Sequence, residues 1–336
     1  MNKLSKILVL GSSGLVGSAV VRKLKELGYV NVLAHTHKAL ELDKQVQVHE
    51  YFAYFEPEYV FQCAAKVGGI LANSTYPAEF IWDNIMISAN VIKACHKFRV
   101  KKLLNLGSSC IYPKETPQPM KEEYLLSGKL EPTNEPYAIA KIAAIKMCSA
   151  FNKQYGTNFI SAMPPNQYGY EDNFDAQNSH LIPALIRKFH EAKIFNLPSV
   201  TLWGDGSPRR EFMFADDLAD GLIFLMNNYD YNGDDFINIG SGYDLPIHLI
   251  AALIMTNVGY KGDIVWDTTK PNGTMLKLLD SSKINSLGWR PETSLSDGLI
   301  NTYKWFEDNY PNIKGIREIK EDITAYENPT KSKEIG

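Results

Sequence analysis

Short runs of branched apolar residues alternate with longer stretches in which apolar positions recur every three or four residues through the first half of the chain. Residues 6–10 (KILVL) read as a buried strand. Over 15–27, Val16, Ala19, Val20, Leu24 and Leu27 repeat with a helix period. Further strands are expected at 30–34, 59–63, 103–106 and 159–163, and long amphipathic helices at 78–98 and 134–155. Strand, helix, strand in this rhythm predicts an α/β fold, a doubly wound parallel sheet whose strands end along one rim, where ligands bind. Beyond residue 164 the rhythm breaks. Pro, Gly, Asn and Asp crowd 164–178. A helix follows at 180–193, a strand at 200–203, a turn-rich stretch at 204–210 and a helix at 294–309. Asp216 and Asp217 sit where a helix over 218–226 begins, which suits capping and the helix dipole better than a metal.

Composition narrows the function. The 336 residues are 45% hydrophobic, so a packed core is expected. Lys plus Arg total 35 against 38 for Asp plus Glu, a net charge of −3, which argues against a dedicated nucleic-acid binder. The apolar runs 7–10 and 249–255 are too short to span a bilayer, and the first residues run straight into a strand without signal-peptide architecture. The chain reads as soluble and cytoplasmic, with no membrane partner. Cys63, Cys95, Cys110 and Cys148 have no metal-ligand or CxxC spacing and are expected as free thiols; no metal is implied.

Gly11, Ser12, Ser13, Gly14, Leu15, Val16 and Gly17 follow the first strand and open the first helix with the spacing G-x-x-G-x-x-G. Glycines there let the backbone turn sharply and approach a pyrophosphate, which rests at the helix N-terminus, as in a Rossmann sheet. An acid at the end of the second strand would select NAD, yet none precedes Glu41. His37 and Lys38 instead favour a 2′-phosphate, hence NADPH.

Tyr137 and Lys141 stand one helical turn apart, Y-x-x-x-K, on a common face. A lysine ammonium beside a phenol is expected to lower its pKa from about 10, so that the tyrosine hands a proton to a carbonyl oxygen. Ser108 ends the fourth strand on the same rim and can donate to that oxygen. Lys188, Arg210 and Lys277 could neutralise a diphosphate, and Trp203 offers an aromatic face.

The glycine turn, the strand-end serine and the YxxxK helix resemble the extended short-chain dehydrogenase/reductase family. Longer runs at 107–113, 131–141, 172–174, 178–183, 203–204 and 267–271 are similar to the GDP-L-fucose synthase family, a likeness covering roughly 5–310. That family epimerises GDP-4-keto-6-deoxy-mannose at C3 and C5, then reduces C4 with NADPH. The resemblance implies a reductase triad of Ser108, Tyr137 and Lys141 and an epimerisation pair of Cys110 and His180. It implies that Ala64, Ala65, Leu106, Pro164, Asn166, Gln167 and His180 join the glycine turn, Tyr137 and Lys141 around the cofactor. It puts Ser109, Cys110, Asn166, Lys188, Trp203, Arg210, Asn272 and Lys277 against the GDP-sugar. It also implies a homodimer of four packed helices drawn from 78–98 and 134–155. Residues 1–165 are expected to form the NADP-binding domain, with segments around 211–240 returning to it. Residues 166–315 are expected to form mainly a smaller α/β substrate domain, and 316–336 a tail.

The pattern departs in places. Pro164-Pro165-Asn166-Gln167 differs from the family's P-T-N-L, Ser13 replaces a frequent arginine, Asn272 a usual aspartate, and Met275-Leu276 a typical Pro-Arg. Two alternatives stay open: a C4-reductase acting alone on a related GDP-4-keto sugar such as a heptose, and an NAD-dependent nucleotide-sugar C4 epimerase.

Overall fold

The computed structural model describes residues 1–36, 39–175, 179–270, 272–313 and 315–316; His37, Lys38 and 317–336 of the expected tail lie outside the described residues. The chain opens with β1 (Ile7–Leu10), α1 (Leu15–Glu26), β2 (Val32–Ala34), α2 (Gln45–Phe55), β3 (Tyr59–Gln62), α3 (Ile70–Thr75), α4 (Pro77–Lys97) and β4 (Lys102–Leu106). It continues through α5 (Glu135–Tyr155), β5 (Phe159–Met163), β6 (Asn166–Tyr168), α6 (Leu181–Ile194), β7 (Ser199–Trp203), β8 (Arg209–Arg210), β9 (Phe212–Phe214) and α7 (Ala215–Asn228). The remaining elements are β10 (Ile237–Asn238), β11 (Leu245–Pro246), α8 (Ile247–Val258), β12 (Asp263–Asp267), β13 (Leu276–Lys277), α9 (Ser282–Ser286) and α10 (Leu295–Asn309).

Six strands form one parallel sheet in the order β10-β5-β4-β3-β1-β2. Both of its faces are covered, which is why its strands read as unbroken apolar runs. Ile7 and Val9 face one core, shared with α1 and α7; Leu8 and Leu10 face another, beneath α2 and α4. The chain runs from β1 outward to β2 on one side, then crosses back past β1 to β3 on the other. At such a reversal a crevice opens beyond the carboxyl ends of the strands.

A separate core joins α6, α8 and α10 to β6, β7 and β9, with Phe174, Phe189, Leu299 and Phe306 inside it. Buried Arg187 staples this region. Its Nε donates to Glu191 Oε1 at 2.8 Å, and its Nη1 donates to the carbonyls of Phe174 at 3.0 Å and Gly315 at 3.1 Å. Three parallel pairings stand outside the main sheet: β7 beside β12, β6 beside β9, and β8 beside β13, with Arg210 in register with Lys277.

The capping expectation at Asp216 and Asp217 is corrected. α7 begins at Ala215 with Phe214 as its N-cap, so both acids lie in the first turn. They still complement the dipole. Their oxygens, however, serve tertiary contacts: Asp216 pairs with Arg22 at 2.6 Å, and Asp217 accepts from the Thr293 N–H and hydroxyl.

Candidate active site

The glycine turn lies in the crevice beside β1. Gly11 has φ +78°, and a Cβ there would come within 2.7 Å of the Ala64 nitrogen. A Cβ on Gly17 would come within 2.0 Å of the Gly11 carbonyl oxygen. The turn is therefore pressed against the backbone of 63–64 at the end of β3 and against the helix it opens. Gly14 N–H donates to the Gly11 carbonyl, and the Ser12 hydroxyl donates to the His35 carbonyl, tying the turn to the end of β2 at 3.0 Å. Leu15 and Val16 pack on the core below, while Ser13 is exposed. No side chain caps α1, and no acid occupies its first turn. Its first N–H groups thus face outward at a bare positive helix end, which fits the pyrophosphate of a dinucleotide. Ala64 and Ala65 border the same crevice from the end of β3.

One rim position further along, β4 ends at Leu106 and the chain turns through Gly107 and Ser108. Gly107 N–H and Ser109 N–H bond to the Ala162 and Pro164 carbonyls, fixing this turn to β5 and its exit. Ser108 caps a short 3-10 turn by accepting from Cys110 N–H at 3.4 Å. α5 runs alongside. Buried Lys141 reaches back and donates from Nζ to the Leu106 carbonyl at 2.9 Å. The same Nζ lies 5.7 Å from the centroid of the Tyr137 ring, which also meets Phe80 edge-on.

Electrostatics bind this group together. Burial lowers the Lys141 pKa to about 8, against partial support from Cys110 and Cys63. Burial pushes the Cys110 thiol up; the Ser108 hydroxyl and the Lys277 and Lys141 ammonium groups pull it back. Tyr137 is held above its ordinary range, first by burial and then by Cys110. This corrects the expectation that Lys141 draws the phenol toward phenolate. Lys141 donates to the Leu106 carbonyl, and desolvation of Tyr137 dominates. The phenol keeps its proton, which suits a proton donor. Cys110 is 8% exposed, with its backbone N–H on the Ser108 hydroxyl.

His180 comes from a different element, as the N-cap of α6. It is exposed, and desolvation by the protein around it lowers its pKa. The positive end of α6 adds to the preference for neutral imidazole. Among the described residues, no hydrogen bond joins it to Cys110. Two of the cations are neighbours. Lys277 and Arg210 are register partners, and each is lowered first by burial; Arg210 also lowers Lys277 by like-charge repulsion. Lys188 is lowered by burial as well. Among the described residues, none of the three is ion-paired. Such cations call for an anion. Trp203 is 68% exposed, with the Lys270 ammonium 5.7 Å from its ring. Asn272 accepts from Asp205 N–H at 3.2 Å across the turn that follows β7. Pro164, Asn166 and Gln167 leave β5. The Asn166 amide donates to the Glu211 carbonyl at 3.2 Å, and the Gln167 amide folds onto the Pro165 carbonyl at 2.7 Å.

Two groups in this region go beyond the sequence reading. Cys63, read there as a buried thiol, lies near enough to Lys141 to influence its titration. Glu211 is a carboxyl group 1% exposed behind Arg210. Its signal was present: a lone acid beside the apolar run Phe212–Phe214 in an inward-facing position.

The model of the NAD dependent epimerase/dehydratase family matches residues 7–240. A putative GDP-L-fucose synthase 2 of Arabidopsis thaliana is 55% identical over 309 residues, 92% of this chain and 94% of that one. Among solved structures, a GDP-6-OMe-4-keto-L-xylo-heptose reductase from C. jejuni superposes with a TM-score of 0.88 at 38% identity, covering 92% of this chain and 99% of that one. A GDP-L-fucose synthetase from Naegleria fowleri, bound to NADP, superposes with a TM-score of 0.88 at 27% identity, covering 94% and 96%.

Proposed function

The chain belongs to the NAD dependent epimerase/dehydratase family, alongside the GDP-L-fucose synthases, and from that membership we infer an NADPH-dependent epimerase-reductase acting on a GDP-4-keto-6-deoxy sugar. It inverts C3 and C5 and reduces C4. The observation that carries this reading is the gathering of Ser108, Cys110, Tyr137 and Lys141 at the end of β4.

The roles of these residues follow from their chemistry. A ketone at C4 acidifies the hydrogens at both C3 and C5, because the enolate places its charge on oxygen. Ser108 and the protonated Tyr137 donate hydrogen bonds to that oxygen. Cys110 and His180 work from different elements and supply the acid and base that exchange each proton between faces of the ring. Thiol and imidazole have reference pKa values of about 8.5 and 6.5, near enough to neutrality for both directions. The glycine turn and the open end of α1 would hold NADPH, which when bound would supply the hydride for C4. Tyr137 gives its proton to the C4 oxygen, and the Lys141 ammonium steadies the phenolate left behind. Lys188, Arg210 and Lys277 hold the diphosphate, and Trp203 with Asn272 borders the nucleotide side. His37 and Lys38 remain our choice for the 2′-phosphate.

Residues 1–165 with 211–240 form the cofactor domain and 166–315 mainly the sugar domain in this reading. The protein acts in the cytoplasm as a homodimer built on α4 and α5, whose outer faces show Trp82, 65% exposed, and Ile139, 40% exposed. Incubation with GDP-4-keto-6-deoxy-mannose tests the activity: NADPH oxidation with an inverted product by NMR supports it, and no oxidation with any GDP-4-keto sugar refutes it.

A further inference from the structure

Arg210 and Lys277 present an unusual problem. Two partly buried cations lie side by side and repel one another, on strands of two residues each. β8 lies between β11 and β13, each pairing only two residues long, and at the ends of the β8–β13 pairing Arg209 N–H donates to the Met275 carbonyl at 2.7 Å and Glu211 N–H to the Lys277 carbonyl at 3.3 Å. Such a pairing has little of its own to resist the repulsion.

Behind it stands Glu211. Register partners on neighbouring strands point to the same face, so Arg210 and Lys277 share one side and Glu211, the next residue, points to the other. Its Oε2 accepts from the Leu279 N–H at 2.9 Å, two residues beyond Lys277. Its Oε1 accepts from the Gly242 N–H at 3.0 Å and the Ser241 hydroxyl at 3.2 Å. One carboxyl group thus fastens the β8 backbone, the β13 strand and the 241–242 loop. Charge-assisted bonds of this kind are about twice as strong as neutral ones. Burial works against the carboxylate, and the three donors oppose it.

We propose that Glu211 is a positioning residue for GDP-sugar binding: its buried carboxylate locks β8 to β13 so that Arg210 and Lys277 are held together on the cleft face, ready for a diphosphate. The proposal rests on the reading of those two cations as diphosphate ligands. It is specific to the sugar-nucleotide side. The link from Asn166 toward the cofactor segment ends on the Glu211 main-chain carbonyl, so a side-chain substitution leaves it in place.

The test measures the inhibition constant of GDP, the KM for the GDP-keto sugar and the KM for NADPH in Glu211→Gln, Ser241→Ala and Lys277→Ala. Glutamine keeps the shape but turns an NH2 toward an N–H or O–H donor. Glu211→Gln is expected to weaken GDP about tenfold, and Ser241→Ala, which removes one donor, about two- to threefold. The KM for the sugar rises in step, and the KM for NADPH stays at the wild-type value. Should Glu211→Gln fail to fold, Ser241→Ala alone decides by the same selectivity. The proposal is overturned if Lys277→Ala weakens GDP while neither other variant does, or if GDP and NADPH weaken together, the mark of general loosening. If Lys277→Ala leaves GDP affinity unchanged, the diphosphate reading itself falls, and the proposal with it.

Discussion

At the scale of single residues, the site divides its labour by protonation. Tyr137 is kept neutral by burial and can only give a proton, so Tyr137→Phe should lower NADPH-dependent C4 reduction by roughly 10²–10⁴. Solvent exchange at C3 and C5 should persist, since Ser108 still donates to the ketone; parallel assays of NADPH oxidation and NMR label check both. Lys141 titrates at about 8 in the protein, lowered from its ordinary value. Its ammonium form is therefore present below that pH and lost above it. Because the charge steadies the departing phenolate, kcat/KM for reduction should fall as pH rises through about 8. In Lys141→Arg the cation persists, and the alkaline limb should vanish below about pH 10. The shared face of Tyr137 and Lys141 was legible from their spacing, because one helical turn fixes it. The direction of the tyrosine shift was not: spacing says nothing of how dry the neighbourhood is.

At the scale of elements, the turn after β1 and the staple under α6 carry the clearest consequences. A methyl group at residue 17 has no space beside the Gly11 carbonyl, so Gly17→Ala should both weaken NADPH binding and destabilise the fold by about 1–3 kcal/mol. Fluorescence titration and a thermal melt would show the two losses together. Arg187→Ala leaves Glu191 buried without its guanidinium and frees the carbonyls of Phe174 and Gly315. It should cost about 3–5 kcal/mol by urea unfolding. The helices at Pro77–Lys97, Glu135–Tyr155, Leu181–Ile194 and Leu295–Asn309 fall within a residue or two of their apolar periods. α2 escaped that reading because its aromatic-rich sequence, QVQVHEYFAYF, crowds apolar residues around the helix rather than along one clean stripe. The two-residue strands β8, β10, β11 and β13 escaped it too, since a strand that short has no period to read.

At the scale of the whole molecule, the sheet with a core on each face and the separate core of α6, α8 and α10 each carry part of the proposed chemistry. In the proposed reading the sheet carries the hydride-transfer residues at its rim, and the elements after β5 supply His180, Lys188, Arg210 and Lys277. The first set was visible as motifs. The alignment of Arg210 with Lys277 was not, because it is made by strand pairing between segments remote in sequence. Outside the cleft, Trp82→Glu combined with Ile139→Glu should convert the proposed dimer to a monomer by light scattering. The central claim is that one site performs both proton exchange and reduction. The most direct measurement runs GDP-4-keto-6-deoxy-mannose with NADPH in deuterium oxide, using wild type and Cys110→Ala, and reads C3, C5 and C4 by NMR. The expected result is label at C3 and C5 with the wild-type enzyme, and none with Cys110→Ala, which still reduces a sugar already epimerised. Unimpaired labelling by Cys110→Ala, or reduction by the wild type with no label at either carbon, would contradict it.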